Sequence, residues 1–376
     1  MLGLISRINK GERRCIIKTR IAHEGIKQTD TVSPLRIGII GAGSIGQLAH
    51  LANFTAIDGV DIVGLADLRP ELGRLVANKF KIPSLYPDHH TLLQKEKPDA
   101  VVVVTQRDAT GPIVLDALTA GCDVLCEKPM CHTVEQGQRL VEAAKSAQKL
   151  LSVGFMKRHD AGTANFMEHL RRSRETGQMG DILLLRVWCY GGEFWGNAGN
   201  HIVTDESRPP GLDTWPCAPD FIPAEMHGDY ARFLNVFVHD LNIMRYVAGM
   251  TPKIQNVDFR RKNGRLVNFD FGDFPGILEM AEVPFRSWQE GIEIVFEKGR
   301  MTLEFPSPLL PDTPARVCVE NNEAPVPAMH DPAPSWSFQR QAAAFIEDVR
   351  NRHRPLTSGV DSLEDLKLAE AIWEKA

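Results

Sequence analysis

Residues 35–46 read Leu35-Arg36-Ile37-Gly38-Ile39-Ile40-Gly41-Ala42-Gly43-Ser44-Ile45-Gly46. A short apolar strand runs directly into Gly41-x-Gly43-x-x-Gly46, and each glycine has its own physical task. Gly41 permits a tight turn, Gly43 lets the backbone approach a pyrophosphate, and Gly46 lets the following helix pack on the strand. The free N–H groups at that helix start, around Ser44 and Ile45, suit phosphate oxygens. The motif alone also fits an ordinary strand–helix turn. What points to a dinucleotide is its context. A second apolar strand, Val60–Ala66, ends at Asp67, 21 residues after Gly46. A carboxylate there accepts hydrogen bonds from ribose hydroxyls. Asp67 would repel a 2′-phosphate, so NAD is the expected cofactor. Arg69, two residues on, can pair with phosphate and keeps NADP open.

Outward from this turn, apolar runs at 35–40, 60–67, 100–104, 123–126 and 150–154 alternate with helix-like segments at about 45–55, 70–80, 111–120 and 134–148. That rhythm predicts βαβ units and a parallel sheet covered on both faces. After Gly154 it changes. A helix over 161–175 and a strand over 182–190 lead into an irregular segment, 191–229, and a helix over 231–248. Strands in series follow near 253–262, 266–271, 277–284, 291–297 and 301–305, which predicts an antiparallel or mixed sheet. The Pro-rich stretch 305–335 reads as loop, and two helices, 336–351 and 362–375, close the chain.

Composition bounds the partners. The 376 residues suffice for two domains, and 43% hydrophobic with 24% charged residues is ordinary for a globular chain. A net charge of −5 argues against a nucleic-acid surface. No apolar run reaches the ~18–20 residues of a membrane span. Seven cysteines, odd in number and without a Cys-x-x-Cys pair, fit reduced thiols in the cytoplasm and no metal site. Residues 1–34 carry seven basic against three acidic residues and read as an N-terminal arm.

A second constellation stands where strand 123–126 ends, in Glu127-Lys128-Pro129. Ligands of open α/β sheets bind outside the carboxyl ends of strands, so Lys128 projects toward the nicotinamide end of a bound dinucleotide. A lysine on a surface loop is the plain alternative.

The order Gly-x-Gly-x-x-Gly, then Ala66-Asp67, then Val-Val-Val-Val-Thr105, then Ala120-Gly-Cys-Asp-Val-Leu-Cys-Glu-Lys-Pro129 resembles the Gfo/Idh/MocA oxidoreductase family. So do Val153-Gly-Phe-Met-Lys-Arg158, Gly177-x-x-Gly180, Phe296-Glu-Lys-Gly299 and Arg354-Pro355. The likeness spans residues 35–376. It implies an α/β chain: an N-terminal Rossmann domain (35–155), then an α+β domain (156–376) with a large open, mainly antiparallel sheet for substrate binding and oligomerisation. It also implies NAD(P) chemistry on sugars, glycosides or cyclic polyols, a homodimer or homotetramer, and a cis peptide before Pro129. Cofactor contacts then fall to Gly41, Gly43, Ser44, Ile45, Gly46, Asp67, Arg69, Thr105, Glu127, Lys128 and Pro129.

The family's Asp-x-x-x-His pair is matched by Asn235-Val-Phe-Val-His239, with asparagine replacing aspartate. Residues i and i+4 share a helix face, so both side chains reach one cleft. The resemblance makes His239 the general base, Lys128 the group that holds the reacting oxygen, and Asn235 an orienting amide. Arg158, Trp195 and His227 are further substrate candidates, with His201, Trp215, Glu206 and Asp229 behind them. The expected activity is hydride transfer between a ring hydroxyl and the nicotinamide. Glycoside cleavage through transient oxidation and a non-enzymatic dinucleotide sensor are the alternatives.

Overall fold

The computed structural model describes residues 33–195, 199–207, 210, 212–322 and 328–376. The expected arm, 1–34, falls outside them except for its last two residues. Pro34–Ala376 form one compact unit.

Six parallel strands make the first sheet: β1 (Leu35–Ile40), β2 (Val60–Ala66), β3 (Leu85–Tyr86), β4 (Ala100–Val103), β5 (Asp123–Cys126) and β6 (Leu151–Val153), in the order β3-β2-β1-β4-β5-β6. The order reverses between β1 and β4, which opens a crevice at the carboxyl end of β1. Continuous apolar strands are buried on both faces, as at Val101–Val103. The helices Pro70–Phe80, Arg107–Thr119 and Val134–Ser146 supply the cover. Local signals fix where they start. Thr133 and Gln136 form a reciprocal capping box before Val134, and Pro70 opens its helix at the first turn.

Two elements here are absent from the sequence reading, β3 and the helix His89–Glu96. A two-residue strand has no periodicity to read. The helix has a signal, since the Asp88 side chain accepts from Thr91 N–H at 2.7 Å as an N-cap.

The second sheet has eight strands in the order β14-β13-β12-β11-β7-β10-β9-β8. They are β7 (Ile182–Gly191), β8 (Lys253–Arg261), β9 (Gly264–Asp270), β10 (Pro275–Ala281), β11 (Gln289–Phe296), β12 (Gly299–Glu304), β13 (Arg316–Asn321) and β14 (Ala328–Met329). Only β7 and β10 pair in parallel; the other neighbours are antiparallel. Strands β13 and β14 correct the reading of 305–335 as loop. The prolines at 306, 308, 311 and 314 precede β13 rather than interrupt it.

Alternate residues of this sheet, such as Leu185, Val187 and Leu278, are buried in one core with Phe233, Phe237 and Leu241 of the helix His227–Ala248. The chain then returns to the first sheet. Ala342, Phe345, Ile346 and Val349 of the helix Ser337–Asn351 share a core with Ile37, Phe54 and Leu65. No helix among the described residues is long and apolar enough to cross a membrane.

Candidate active site

The crevice begins at the glycine turn. Gly41 has φ +107°, and a Cβ there would lie 2.1 Å from the Val104 carbonyl oxygen. A Cβ on Gly46 would lie 2.6 Å from the Gly41 carbonyl oxygen, so only glycine lets helix and turn meet. A Cβ on Gly43 would meet nothing within 4 Å. The backbone is thus closed where it packs and open where a pyrophosphate would approach, which fits a dinucleotide. Ser44 and Ile45 are half-buried at the start of the helix.

Asp67 is fastened to this turn. Its Oδ2 accepts from Ala42 N–H at 2.7 Å, and its Oδ1 from Arg69 N–H at 2.9 Å. Arg69 closes a two-pronged pair on the same carboxylate, Nε to Oδ1 at 2.9 Å and Nη2 to Oδ2 at 3.0 Å. The two residues that argued for opposite cofactors are therefore one neutral unit. Thr105 lies two residues past the end of β4, with its hydroxyl 3.4 Å from that of Thr110.

The loop after β5 supplies the next groups. Glu127 takes His50 Nε2 at 2.7 Å. His50 is buried on the helix after the glycine turn, a partner the sequence did not reveal. The Lys128–Pro129 peptide is cis, as the resemblance implied. Lys128 Nζ donates to the Asn235 carbonyl at 2.6 Å, one turn before His239. The structure thereby brings Lys128, Asn235 and His239 together from residues more than a hundred positions apart.

Their environment sets their charge. Burial pulls Lys128 down to about 8, with Glu127 opposing the shift and Arg107 and Lys157 adding to it. His239 is lowered well below 6.5 by burial and by the cations Lys128 and Lys157. Its ring meets Phe155 edge-on at 5.8 Å, and its Nδ1 has no hydrogen-bond partner among the described residues. A neutral imidazole beside an ammonium is the pairing that a proton-accepting base and an oxyanion holder require.

Behind His239 lies a charged cluster that the sequence reading missed. Asp240 is fully buried beside Cys189 and Lys157, and burial raises it to about 7. Lys157 pairs directly with buried Glu290. One ligand atom each from Cys189, Asp240 and Glu290 lies within 4.8 Å of the others. Lys157 is followed by Arg158, His159 and Asp160, and Glu290 follows Gln289, so the sequence did not mark their charges as buried.

Other expected contacts lie elsewhere. Arg158 is a correction: its guanidinium is buried against Asp361 at 2.8 Å and the Asn242 carbonyl at 3.0 Å, and it ties the helix His227–Ala248 to the C-terminal helix. His227 is another, because it starts that helix and its Nε2 lies 2.9 Å from the Ile222 carbonyl, three turns from His239. Trp195 is half-exposed and edge-on to Phe194 at 5.0 Å. Trp215 packs into the space left by Gly111, with Arg139 5.1 Å from its ring, so it holds the loop to the helix Arg107–Thr119. Glu206 and His201 lie in a segment laid along the first domain, and Asp229 faces Lys262 at 3.6 Å.

Known proteins resemble this chain in sequence and in fold. Residues 35–155 match the profile of the Gfo/Idh/MocA oxidoreductase family, NAD-binding Rossmann fold. A D-glucoside 3-dehydrogenase of Escherichia coli is 32% identical over 234 residues, 62% of this chain and 59% of that protein. A myo-inositol 2-dehydrogenase of Thermotoga maritima is 28% identical over 220 residues, 57% of this chain and 55% of that protein. The chain thus spans a little over half the length of these curated relatives. Among solved structures, a 3-ketoreductase from Actinomadura kijaniata, in complex with NADP, superposes with a TM-score of 0.72 at 18% identity, covering 92% of this chain and 98% of that one. A probable dehydrogenase from Thermotoga maritima gives 0.65 at 22% identity, covering 91% and 96%. At these identities the structural matches speak for the fold.

Proposed function

We propose, from the match of residues 35–155 to the Gfo/Idh/MocA oxidoreductase family, that this chain is an NAD(P)-dependent dehydrogenase acting on a ring hydroxyl of a sugar, glycoside or cyclic polyol. The observation that carries the reading is the bond from Lys128 to the Asn235 carbonyl, one helical turn from His239, which sets a half-buried ammonium near a neutral imidazole. The substrate class is supported by the names of the relatives, one acting on a glucoside and one on an inositol.

The glycine turn, Asp67 and the loop Thr105, Glu127, Lys128 and Pro129 would hold the dinucleotide. When bound, its nicotinamide supplies the site that takes or gives the hydride. The chain's residues handle the proton and the charge. His239 accepts the hydroxyl proton at Nδ1 or Nε2 as the alcohol is oxidised, and returns it in the reverse direction. An ammonium has three donors; Lys128 spends one on Asn235 and directs the others at the reacting oxygen, stabilising developing alkoxide. The Asn235 side chain orients the substrate or the imidazole. Residues 35–155 and 156–376 divide these tasks between cofactor and substrate. The free thiols, four of them buried, suit a reducing cytoplasm.

The test is a panel of sugars, glycosides and inositols with NAD and NADP, followed by absorbance at 340 nm. Reduced cofactor formed in proportion to oxidised substrate supports the dehydrogenase. Cleavage of a glycoside with no net reduced cofactor, or no turnover of any substrate by a chain that binds cofactor, contradicts it.

A further inference from the structure

The segment 199–207 precedes the His239 helix in sequence, but it is fastened to the first domain. Gln47, the residue after Gly46, donates from Nε2 to the Ile202 carbonyl at 2.9 Å and accepts from Ile202 N–H on Oε1 at 2.8 Å. Lys79 Nζ donates to the Asn200 carbonyl at 3.0 Å. Glu206 then reaches the N-terminus of the helix Pro70–Phe80. Its Oε1 accepts from Glu71 N–H at 2.9 Å and its Oε2 from Leu72 N–H at 2.7 Å, while the Thr204 hydroxyl donates to Oε2 at 3.0 Å. These first-turn donors have no partner inside their own helix, and they favour an anion. The helix begins three residues after Asp67, whose charge is matched by Arg69. The strand end alone therefore does not decide between a ribose hydroxyl and a ribose phosphate.

We propose that Glu206 is the residue by which this chain rejects a 2′-phosphorylated dinucleotide. The inference rests on the dinucleotide reading of the glycine turn. A carboxylate seated on the helix N-terminus takes the anion position that a 2′-phosphate would use, and it adds a negative charge within electrostatic reach of Arg69, the partner of Asp67. Uncharged ribose hydroxyls meet no such repulsion, so specificity comes from a built-in clash of charge with the wrong ligand. Without that carboxylate, the helix terminus and an Arg69 turned away from Asp67 would form an anion site. Selectivity is thus set from a segment more than 130 residues beyond the strand end where the sequence places it.

The experiment measures NADH and NADPH binding by fluorescence for the wild-type chain, Glu206→Gln and Glu206→Ala, with thermal melts alongside. Competition by adenosine 2′,5′-bisphosphate and by AMP isolates the adenosine end. The wild type should bind NADH more tightly than NADPH. In both variants the Kd for NADPH should fall about tenfold, with NADH and AMP shifting far less. A wild-type preference for NADPH, or an unchanged NADH/NADPH ratio in variants that still bind NADH, overturns the role of Glu206 and leaves the site reading standing. Equal weakening of both cofactors with a lower Tm makes Glu206 a merely structural cap and also overturns the proposal. A wild-type chain that binds neither cofactor removes the site reading and the inference together.

Discussion

Burial fixes the protonation states that the proposed chemistry needs, and this holds residue by residue. Lys128, drawn to about 8, is still mostly an ammonium near neutrality, while His239 is held neutral. Lys128→Ala should lower kcat by about 10²–10³, the usual cost of one transition-state donor. The Kd for NADH should change far less than kcat, since Lys128 is one of several groups around the dinucleotide and its resolved bond runs to Asn235; steady-state kinetics and fluorescence titration check both halves. Asn235→Asp would set a carboxylate one helical turn from His239. That charge favours the imidazolium and raises the folded-state pKa of His239, so the neutral base exists only at higher pH. The acidic limb of kcat/KM for oxidation should move to alkaline pH, and a shift the other way would remove His239 as base. Sequence named these three residues as candidates because Glu-Lys-Pro and the i, i+4 pair are local patterns. It misplaced Arg158 and His227 because their roles depend on partners more than a hundred residues away or on a helix end, such as Asp361.

Elements carry the next set of constraints. The helix His227–Ala248 buries His239 and Asp240 side by side against Lys157 and Cys189. Asp240, raised to about 7, binds its proton in the folded chain over a range where the unfolded chain has lost it. Stability from this group is therefore full below about 4 and is lost as pH rises to about 7. Asp240→Asn removes that loss, so its stability relative to wild type should improve by about 1.4 kcal/mol per pH unit across this window. Melts at pH 4.5 and 8 check it, and a difference that does not grow with pH would show the carboxylate to be ionised throughout. At the first turn, Gly46→Ala would push a Cβ into the Gly41 carbonyl. NADH affinity should fall at least about tenfold, well beyond the ~1 kcal/mol that separates glycine from alanine in a helix. The long periodic elements were readable for the reason these two are sensitive: repeated burial leaves a repeated pattern. The strands β3 and β14 are two residues long, and β13 followed a run of prolines, so none carried enough pattern to read.

On the scale of the whole chain, two sheets are joined by helices that return to the first after the second is complete. The second sheet covers one face with its own helices. The other face carries Arg186, Tyr190 and Glu279, with Arg186 over Trp188 at 5.0 Å and paired to Glu279 at 2.9 Å. A broad aromatic and charged face of this kind suits a second copy of the chain. Light scattering at micromolar concentration should therefore give a dimer or tetramer, and Arg186→Ala with Glu279→Ala should weaken it; a strict monomer would contradict the interface.

In the proposed reaction a dinucleotide on the first sheet meets an alcohol carbon presented by the His239 helix. The most direct measurement is a single-turnover reaction of NAD-loaded protein with the active member of the glycoside and inositol panel, followed at 340 nm for wild type and His239→Ala. One reduced cofactor per oxidised substrate is expected in the wild type, and a rate lower by about 10²–10⁴ in a variant that still binds NADH. An undiminished rate in His239→Ala, or substrate consumed with no absorbance change at any time, would contradict it.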